Sequence, residues 1–132
     1  MNWAGKPGDC LLVPSGPGGK QHLFTVTLGP CHFAGHAQPP HVLLLSVTSI
    51  RQGVPPDDAC LLQPGEHPFI TRPSYIYYRE PRIEPVSHVQ NMIAQVVWQP
   101  KPPCSPQLLA RIVAGLHKSK RMPRHILNLL SS

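Results

Sequence analysis

Aromatic, basic and acidic side chains are interleaved in residues 74–84, and these residue types can stack on a ligand, bind a phosphate and move a proton. The aromatic and β-branched residues of this segment predict a β-strand. A stiff strand keeps polar side chains in fixed positions, so we expect the segment to form the floor of a site. Its candidate side chains are Tyr77, Arg79, Glu80 and Arg82. The alternative is an edge strand whose charges only prevent aggregation between sheets.

Pro81 interrupts this strand, because a proline cannot donate a hydrogen bond to a sheet ladder. The strand is therefore expected to end, to bulge or to lie at an edge at this position. Arg82 would then project from the point where regular pairing fails.

Two further candidates, Lys20 and His22, stand at the entrance to a second predicted strand, residues 23–28. They follow a glycine-rich loop, residues 15–19, in which glycine lets the backbone approach a ligand closely. The loop lacks the Gly-Lys-Ser/Thr ending and the following helix of a phosphate-binding loop. Imidazole exchanges protons near neutral pH, which makes His22 a candidate acid or base.

Ser46 and Thr48 lie in the apolar run of residues 42–50, which predicts a buried central strand. Because successive side chains of a strand alternate between its faces, the two hydroxyls share one face. They could orient a phosphate, or simply satisfy polar groups where the strand ends.

One group of residues has the types of a metal-ligand set: Cys31, His32, His36 and His41. Thiolate and imidazole suit zinc, but this spacing matches no compact zinc site. We therefore expect neither a metal nor another cofactor, and a zinc module remains a third hypothesis.

Composition favours a single small β-rich domain over residues 1–132. The chain has 18 prolines and 10 glycines, so its elements should be short. Further strands are predicted at residues 9–13 and 59–62, and residues 96–98 as a strand piece or packing segment. Ser87 is expected to cap a helix over residues 87–94. Ser105 and Pro106 predict the start of an amphipathic helix that ends near residue 117, and a further helix begins at residues 122–123.

The net charge of +6 is unevenly distributed. Residues 1–84 hold six basic and six acidic residues, whereas residues 85–132 hold six basic residues and no acid. This surplus could meet nucleic acid or an acidic protein segment, or form a solvated basic tail. The N-terminus lacks an apolar signal core, and no apolar run approaches the ~20 residues of a membrane span. A cytoplasmic protein with four reduced cysteines is expected.

Four segments, taken in order, resemble the PemK/MazF/Kid family of toxin endoribonucleases. They are the Gly-Asp-apolar start in residues 7–14, the glycine loop and strand in 19–27, the strand 44–49, and the strand 74–83 with its Glu-Pro-Arg-Ile ending. Each motif is weak alone, and their order and spacing over residues 5–117 carry the resemblance. It implies a mainly β (α+β) fold: a small SH3-like β-barrel over about residues 5–100 with C-terminal α-helices over about 105–131.

The resemblance also implies an activity and partners. The family cleaves single-stranded RNA without metal through a 2′,3′-cyclic phosphate, which needs proton donors and acceptors together with cations on the phosphate. Its members belong to type II toxin–antitoxin systems, are usually homodimers, and are neutralised by an antitoxin whose disordered acidic tail covers the RNA groove.

The chain departs from the family pattern at three positions. The family arginine before the second strand falls at Gln21, and the arginine and acid of the Kid branch fall at Tyr77 and Arg79. Residues 64–73 have no counterpart. Either Lys20, His22 and Glu80 supply replacements, or the barrel has lost catalysis.

Two hypotheses follow. In a divergent toxin-like endoribonuclease, the catalytic residues are His22, Arg82, Thr48 and Lys20, and the substrate-binding residues are Arg79, Tyr77, Glu80 and Ser46. His22 transfers a proton, while Lys20 and Arg82 hold the phosphate. The alternative is a catalytically inactive SH3-like barrel that binds a protein partner or nucleic acid, with Tyr75 and Tyr77 on one strand face as stacking groups.

Overall fold

The computed structural model describes residues 3–15, 17–36 and 39–130. Gly16 of the glycine-rich loop lies outside the described residues, as do positions 37 and 38 of the loop that carries the candidate zinc ligands. The described chain contains six strands and three α-helices: β1 Cys10–Pro14, β2 Gln21–Cys31, β3 His41–Ser49, β4 Leu61–Leu62, β5 Ser74–Pro85, α1 Val86–Ala94, β6 Gln99–Lys101, α2 Pro106–Lys118 and α3 Arg124–Leu130.

The six strands form one antiparallel sheet in the order β4-β5-β3-β2-β1-β6. The sheet curls into a half-barrel. The prediction of a small, mainly β (α+β) fold is therefore confirmed, but the structure does not establish the SH3-like type. β3 lies between β5 and β2, and its first six residues are buried, as the apolar run of residues 42–50 predicts.

Two hydrophobic layers cover the two faces of the sheet. Because side chains alternate along a strand, β3 contributes to both: Leu43 and Leu45 face one layer, whereas Val42 and Leu44 face the other. The first layer is completed by α2, through Leu108, Ile112 and Leu116. The second layer is completed by Val89 of α1 together with Trp3 and Trp98.

The start of α2 confirms the predicted cap. Ser105 accepts a hydrogen bond at its Oγ from the backbone N–H of Leu108 at 3.1 Å, and Pro106 occupies the first turn. Such a cap contributes about 1 kcal/mol to helix stability because it satisfies an otherwise unpaired N–H group.

The predicted cap of α1 is wrong. Pro85 occupies the N-cap position and no side chain caps the helix, so Ser87 lies within the first turn. The reason is that β5 stays paired to its end, with Pro85 opposite His41, and the chain passes directly from strand to helix. Beyond the helix, only Trp98 of residues 96–98 is buried, and β6 begins at Gln99.

β2 is longer than predicted at both ends. Gln21 pairs with Pro14 of β1, and Cys31 pairs with His41 of β3. The pattern of apolar residues could not indicate this, because the extra ladder positions are exposed or half-buried and lack an apolar signal.

Candidate functional site

The second face of the sheet is only partly covered. α1, Trp3 and Trp98 close one end, and the other end opens into a cleft of about 460 Å³, here called the first cleft. Its lining comes from β2, β3, β5, the connection between β1 and β2, and the turn after β3: Ser15, His22, Phe24, Ser46, Thr48, Ser49, Arg51, Val54, Tyr75, Tyr77, Glu80 and Arg82.

Strand register explains why these side chains meet. Phe24, Ser46 and Tyr77 form one row across β2, β3 and β5, and Thr48 pairs with Tyr75 in the next row of β3 and β5. Residues two apart on a strand share a face. Ser46 and Thr48 therefore both line the first cleft, as do Tyr75 and Tyr77, which confirms their predicted placement on common faces.

Within the described chain, only one of the two ring nitrogens of His22 has a hydrogen-bond partner. Its Nδ1 is hydrogen-bonded to the hydroxyl of Ser15 at 2.8 Å, across the turn that joins β1 to β2. The half-buried ring has no partner for Nε2 within the described chain. An oriented imidazole with a free nitrogen in a cleft is the arrangement that proton transfer requires.

Arg82 is fixed by three neighbours. Its guanidinium lies 5.5 Å from the centre of the Phe24 ring and 5.2 Å from that of Trp98. Its Nε and Nη2 donate to Oε2 of Glu84 at 3.0 and 2.9 Å. With 34% of its side chain exposed, Arg82 still presents N–H groups to the cleft. Such a cation binds an oxyanion at little entropic cost, because its position is already defined.

The predicted irregularity at Pro81 is a bulge. Leu44 pairs with Arg82 but Ser46 pairs with Tyr77, so a single residue of β3 faces four residues of β5. Glu80 and Arg79 lie in this bulge and are both exposed. Glu80 lines the first cleft, whereas Arg79 lines neither this cleft nor its neighbour.

A second cleft of about 350 Å³ adjoins the first at the end of the sheet where β2 begins and β3 ends. The two share His22, Thr48, Ser49 and Arg51. Lys20, absent from the first cleft, lines the second one, together with Phe69 and Arg72 from the connection between β4 and β5.

Six of the eight predicted site residues thus line the first cleft: His22, Ser46, Thr48, Tyr77, Glu80 and Arg82. Sequence reasoning missed Ser15, Arg51 and Arg72. Arg51 directly follows the run that ends β3, so its position beside Thr48 could have been found. Ser15 needed the β1–β2 register, and Arg72 carries no local signal.

The candidate zinc ligands of the third hypothesis do not converge. Among the residues the structure describes, no three His, Cys, Asp or Glu side chains form a metal-binding group. His36 and His41 have ring centres 5.3 Å apart, but Nδ1 of His41 is hydrogen-bonded to the Pro39 carbonyl at 2.7 Å. Cys31 is exposed in β2.

Comparison of the chain with protein-family models, with curated proteins and with solved structures gives no significant match. Within the described ranges, no helix has the length and apolar character needed to cross a membrane.

Proposed function

We propose that this chain is a metal-independent endoribonuclease of the PemK/MazF type, acting on single-stranded RNA in the cytoplasm, and that its half-barrel is a divergent form of that family's SH3-like barrel. The observation that carries the proposal is the first cleft. It brings a proton-transfer group, a carboxylate and a fixed cation, His22, Glu80 and Arg82, to one open surface.

The reaction uses these groups in distinct roles. The Glu80 carboxylate takes the proton of a ribose 2′-hydroxyl, and the 2′-oxygen forms a bond to the adjacent phosphorus. The bond from phosphorus to the 5′-oxygen breaks, and protonated His22 donates a proton to that oxygen through Nε2. Arg82 neutralises the charge that develops on the phosphate, while Thr48 and Ser46 orient it. The products are a 2′,3′-cyclic phosphate and a 5′-hydroxyl.

The proposal includes the partners that the family resemblance implies. A homodimer would be tested by sedimentation velocity. An antitoxin with an acidic disordered tail fits a surface on which Arg51, Arg82 and Lys20 line adjoining clefts. Such a tail would compete with RNA, because both present negative charge to the same cations.

A specific observation favours the alternative of binding without cleavage. Arg82 is already engaged by Glu84, so an incoming phosphate must compete with that carboxylate. In this alternative, Tyr77 stacks on a base or a partner side chain and His22 transfers no proton.

The decisive experiment is incubation of the purified protein with a long single-stranded RNA in the presence of a chelator. We expect fragments with 2′,3′-cyclic phosphate ends. His22→Ala and Glu80→Gln should each slow cleavage by about 100-fold or more, the usual contribution of a general acid or base. His117→Ala, which removes an exposed histidine at the end of α2, should cleave like the parent.

Two outcomes contradict the proposal. If the folded parent protein binds RNA but leaves it intact, the inactive binding barrel replaces the enzyme. If His22→Ala and Glu80→Gln cleave like the parent, the activity belongs to another site or to a contaminant.

A further inference from the structure

The first and second clefts adjoin at the end of the sheet, where four residues line both of them. His22 stands at the junction, beside Arg51 and Thr48. A strand whose reacting phosphate lies near His22 and Arg82 can pass Arg51 into the second cleft, because Arg51 lines both clefts. We propose that the second cleft is a phosphate-binding subsite, in which Lys20, Arg51 and Arg72 hold the backbone of the RNA strand next to the reacting phosphate.

The charge of the second cleft differs from that of the first. Its lining includes three cations, Lys20, Arg51 and Arg72, together with His22, and no carboxylate. The first cleft contains Glu80 as well as its cations. A concave surface lined by one sign of charge concentrates the opposite ion, so the second cleft favours an anion.

No carboxylate of the described residues forms an ion pair with Lys20, Arg51 or Arg72. Within residues 3–15, 17–36 and 39–130, the ion pairs are Arg82 with Glu84 and Arg111 with Glu66. Lys20, Arg51 and Arg72 are exposed and have no carboxylate partner in this part of the chain. An anion that binds them does not have to displace a side chain, in contrast to an anion at Arg82.

Neutral donors surround the cations. Gln21, Thr71 and the hydroxyls of Thr48 and Ser49 also line the second cleft. Side-chain amides and hydroxyls are usual partners of phosphate oxygens, and such contacts bind the backbone without reading its sequence. The subsite therefore supplies affinity along the strand, whereas the half-buried ring of Tyr77 in the first cleft can stack on a base.

The inference rests on the proposed function, since it takes the same RNA strand as its ligand. The subsite can nevertheless be disproved while the proposed function stands, because binding and cleavage are measured separately. The probe is a labelled single-stranded RNA with 2′-O-methyl riboses, which lacks the attacking hydroxyl and cannot be cleaved. Its affinity is measured by fluorescence anisotropy over a series of KCl concentrations.

The test variant is Lys20→Gln/Arg51→Gln/Arg72→Gln. The matched control, Lys118→Gln/Lys120→Gln/Arg124→Gln, removes the same charge from exposed positions of the C-terminal segment. Each phosphate contact on a single strand contributes about 0.7 to the slope of log K against log salt, so the test variant should lose about 2 from that slope. The control should keep the parent slope. On cleavable RNA, the test variant should raise KM, whereas the control should keep the parent KM.

A test variant that keeps the parent slope and KM overturns the subsite while leaving the ribonuclease intact. A control that loses as much as the test variant also overturns it, because the effect is then one of net charge. If the parent protein neither binds the probe nor cleaves RNA, the proposed function and the subsite fail together.

Discussion

The thiol of Cys10, at the start of β1, interacts with that of Cys104, which lies just before α2. Cys10 Sγ also donates a hydrogen bond to the Gly8 carbonyl at 3.4 Å. Cys10 is fully buried in β1, whereas Cys104 is partly exposed. The interaction with Cys104, together with burial, raises the pKa of Cys10. The same interaction lowers the pKa of Cys104. The thiolate therefore forms first on the more accessible sulfur.

This arrangement predicts selective, pH-dependent alkylation. Iodoacetamide should modify Cys104 and leave Cys10 unmodified in the folded protein, because the thiolate is the nucleophile. In Cys10→Ala, the labelling of Cys104 should need a higher pH, since the neighbouring thiol that lowers the pKa of Cys104 is lost. Peptide mass spectrometry measures both rates, with exposed Cys31 as the reagent control. An unchanged pH profile of Cys104 in Cys10→Ala would contradict the assignment.

At the scale of elements, β5 and α2 are joined by one buried contact. The hydroxyl of Tyr78 donates to the backbone carbonyl of Ile112 at 2.7 Å. Gly115 lies one turn further along the helix, and a Cβ atom there would overlap the Tyr78 hydroxyl. A glycine within a helix normally costs about 1 kcal/mol relative to alanine, but here it is the residue that lets the tyrosine approach.

We therefore expect Gly115→Ala to lower the free energy of unfolding by about 1–3 kcal/mol, the usual cost of overpacking a core. In the Tyr78→Phe background the same change should cost less, because the closest atom is removed. Urea denaturation of the four proteins of this cycle measures the difference. Ala114→Gly, at the neighbouring exposed position, serves as the control and should destabilise through helix propensity alone. A Gly115→Ala protein more stable than the parent would refute the packing explanation.

At the scale of the whole molecule, folding brings acidic residues of the first part of the chain against the basic C-terminal segment. Glu66, from the charge-balanced first part, pairs with Arg111 of the basic C-terminal segment. Asp57 accepts a hydrogen bond from Ser119 just after α2. These two acidic residues of the first part thus hold the C-terminal segment in place. The cations Lys20, Arg51 and Arg72 are left to line the second cleft.

The ion pair predicts how stability depends on pH. Hydrogen bonds from Arg111 lower the pKa of Glu66, so the pair stabilises the fold above the ordinary pKa of a glutamate and ceases to do so as the pH falls through the lowered value. The two side chains are 47% and 24% exposed, so water screens the interaction. We expect Glu66→Gln to cost at most about 1 kcal/mol at neutral pH.

Urea titrations at neutral and acid pH test this prediction. The difference between parent and Glu66→Gln should shrink as the pH falls below about 4.3, the ordinary pKa of a glutamate, and vanish once the pH is below the lowered pKa of Glu66. Asp58→Asn, at an exposed residue without an ion pair in the described chain, should show no such pH dependence. A difference that persists in acid would mean that Glu66 acts through packing rather than charge.

The sequence by itself determined the elements that have strong local patterns. The apolar run of β3, the aromatic run of β5 with its break at Pro81, and the Ser105–Pro106 start of α2 were all predicted at nearly their observed bounds. These signals are local, because side-chain alternation, a missing N–H group and helix capping depend on residues only a few positions apart.

Only the tertiary structure decided which side chains meet. Arg82 lies against Phe24 and Trp98, His22 is bonded to Ser15, and Arg51 joins two clefts. It also separated Arg79 from Glu80, its neighbour in the chain, because the bulge directs only Glu80 into the first cleft. The physical reason is that strand register, bulges and the cover of α1 bring together residues far apart in the chain, and no local periodicity encodes them.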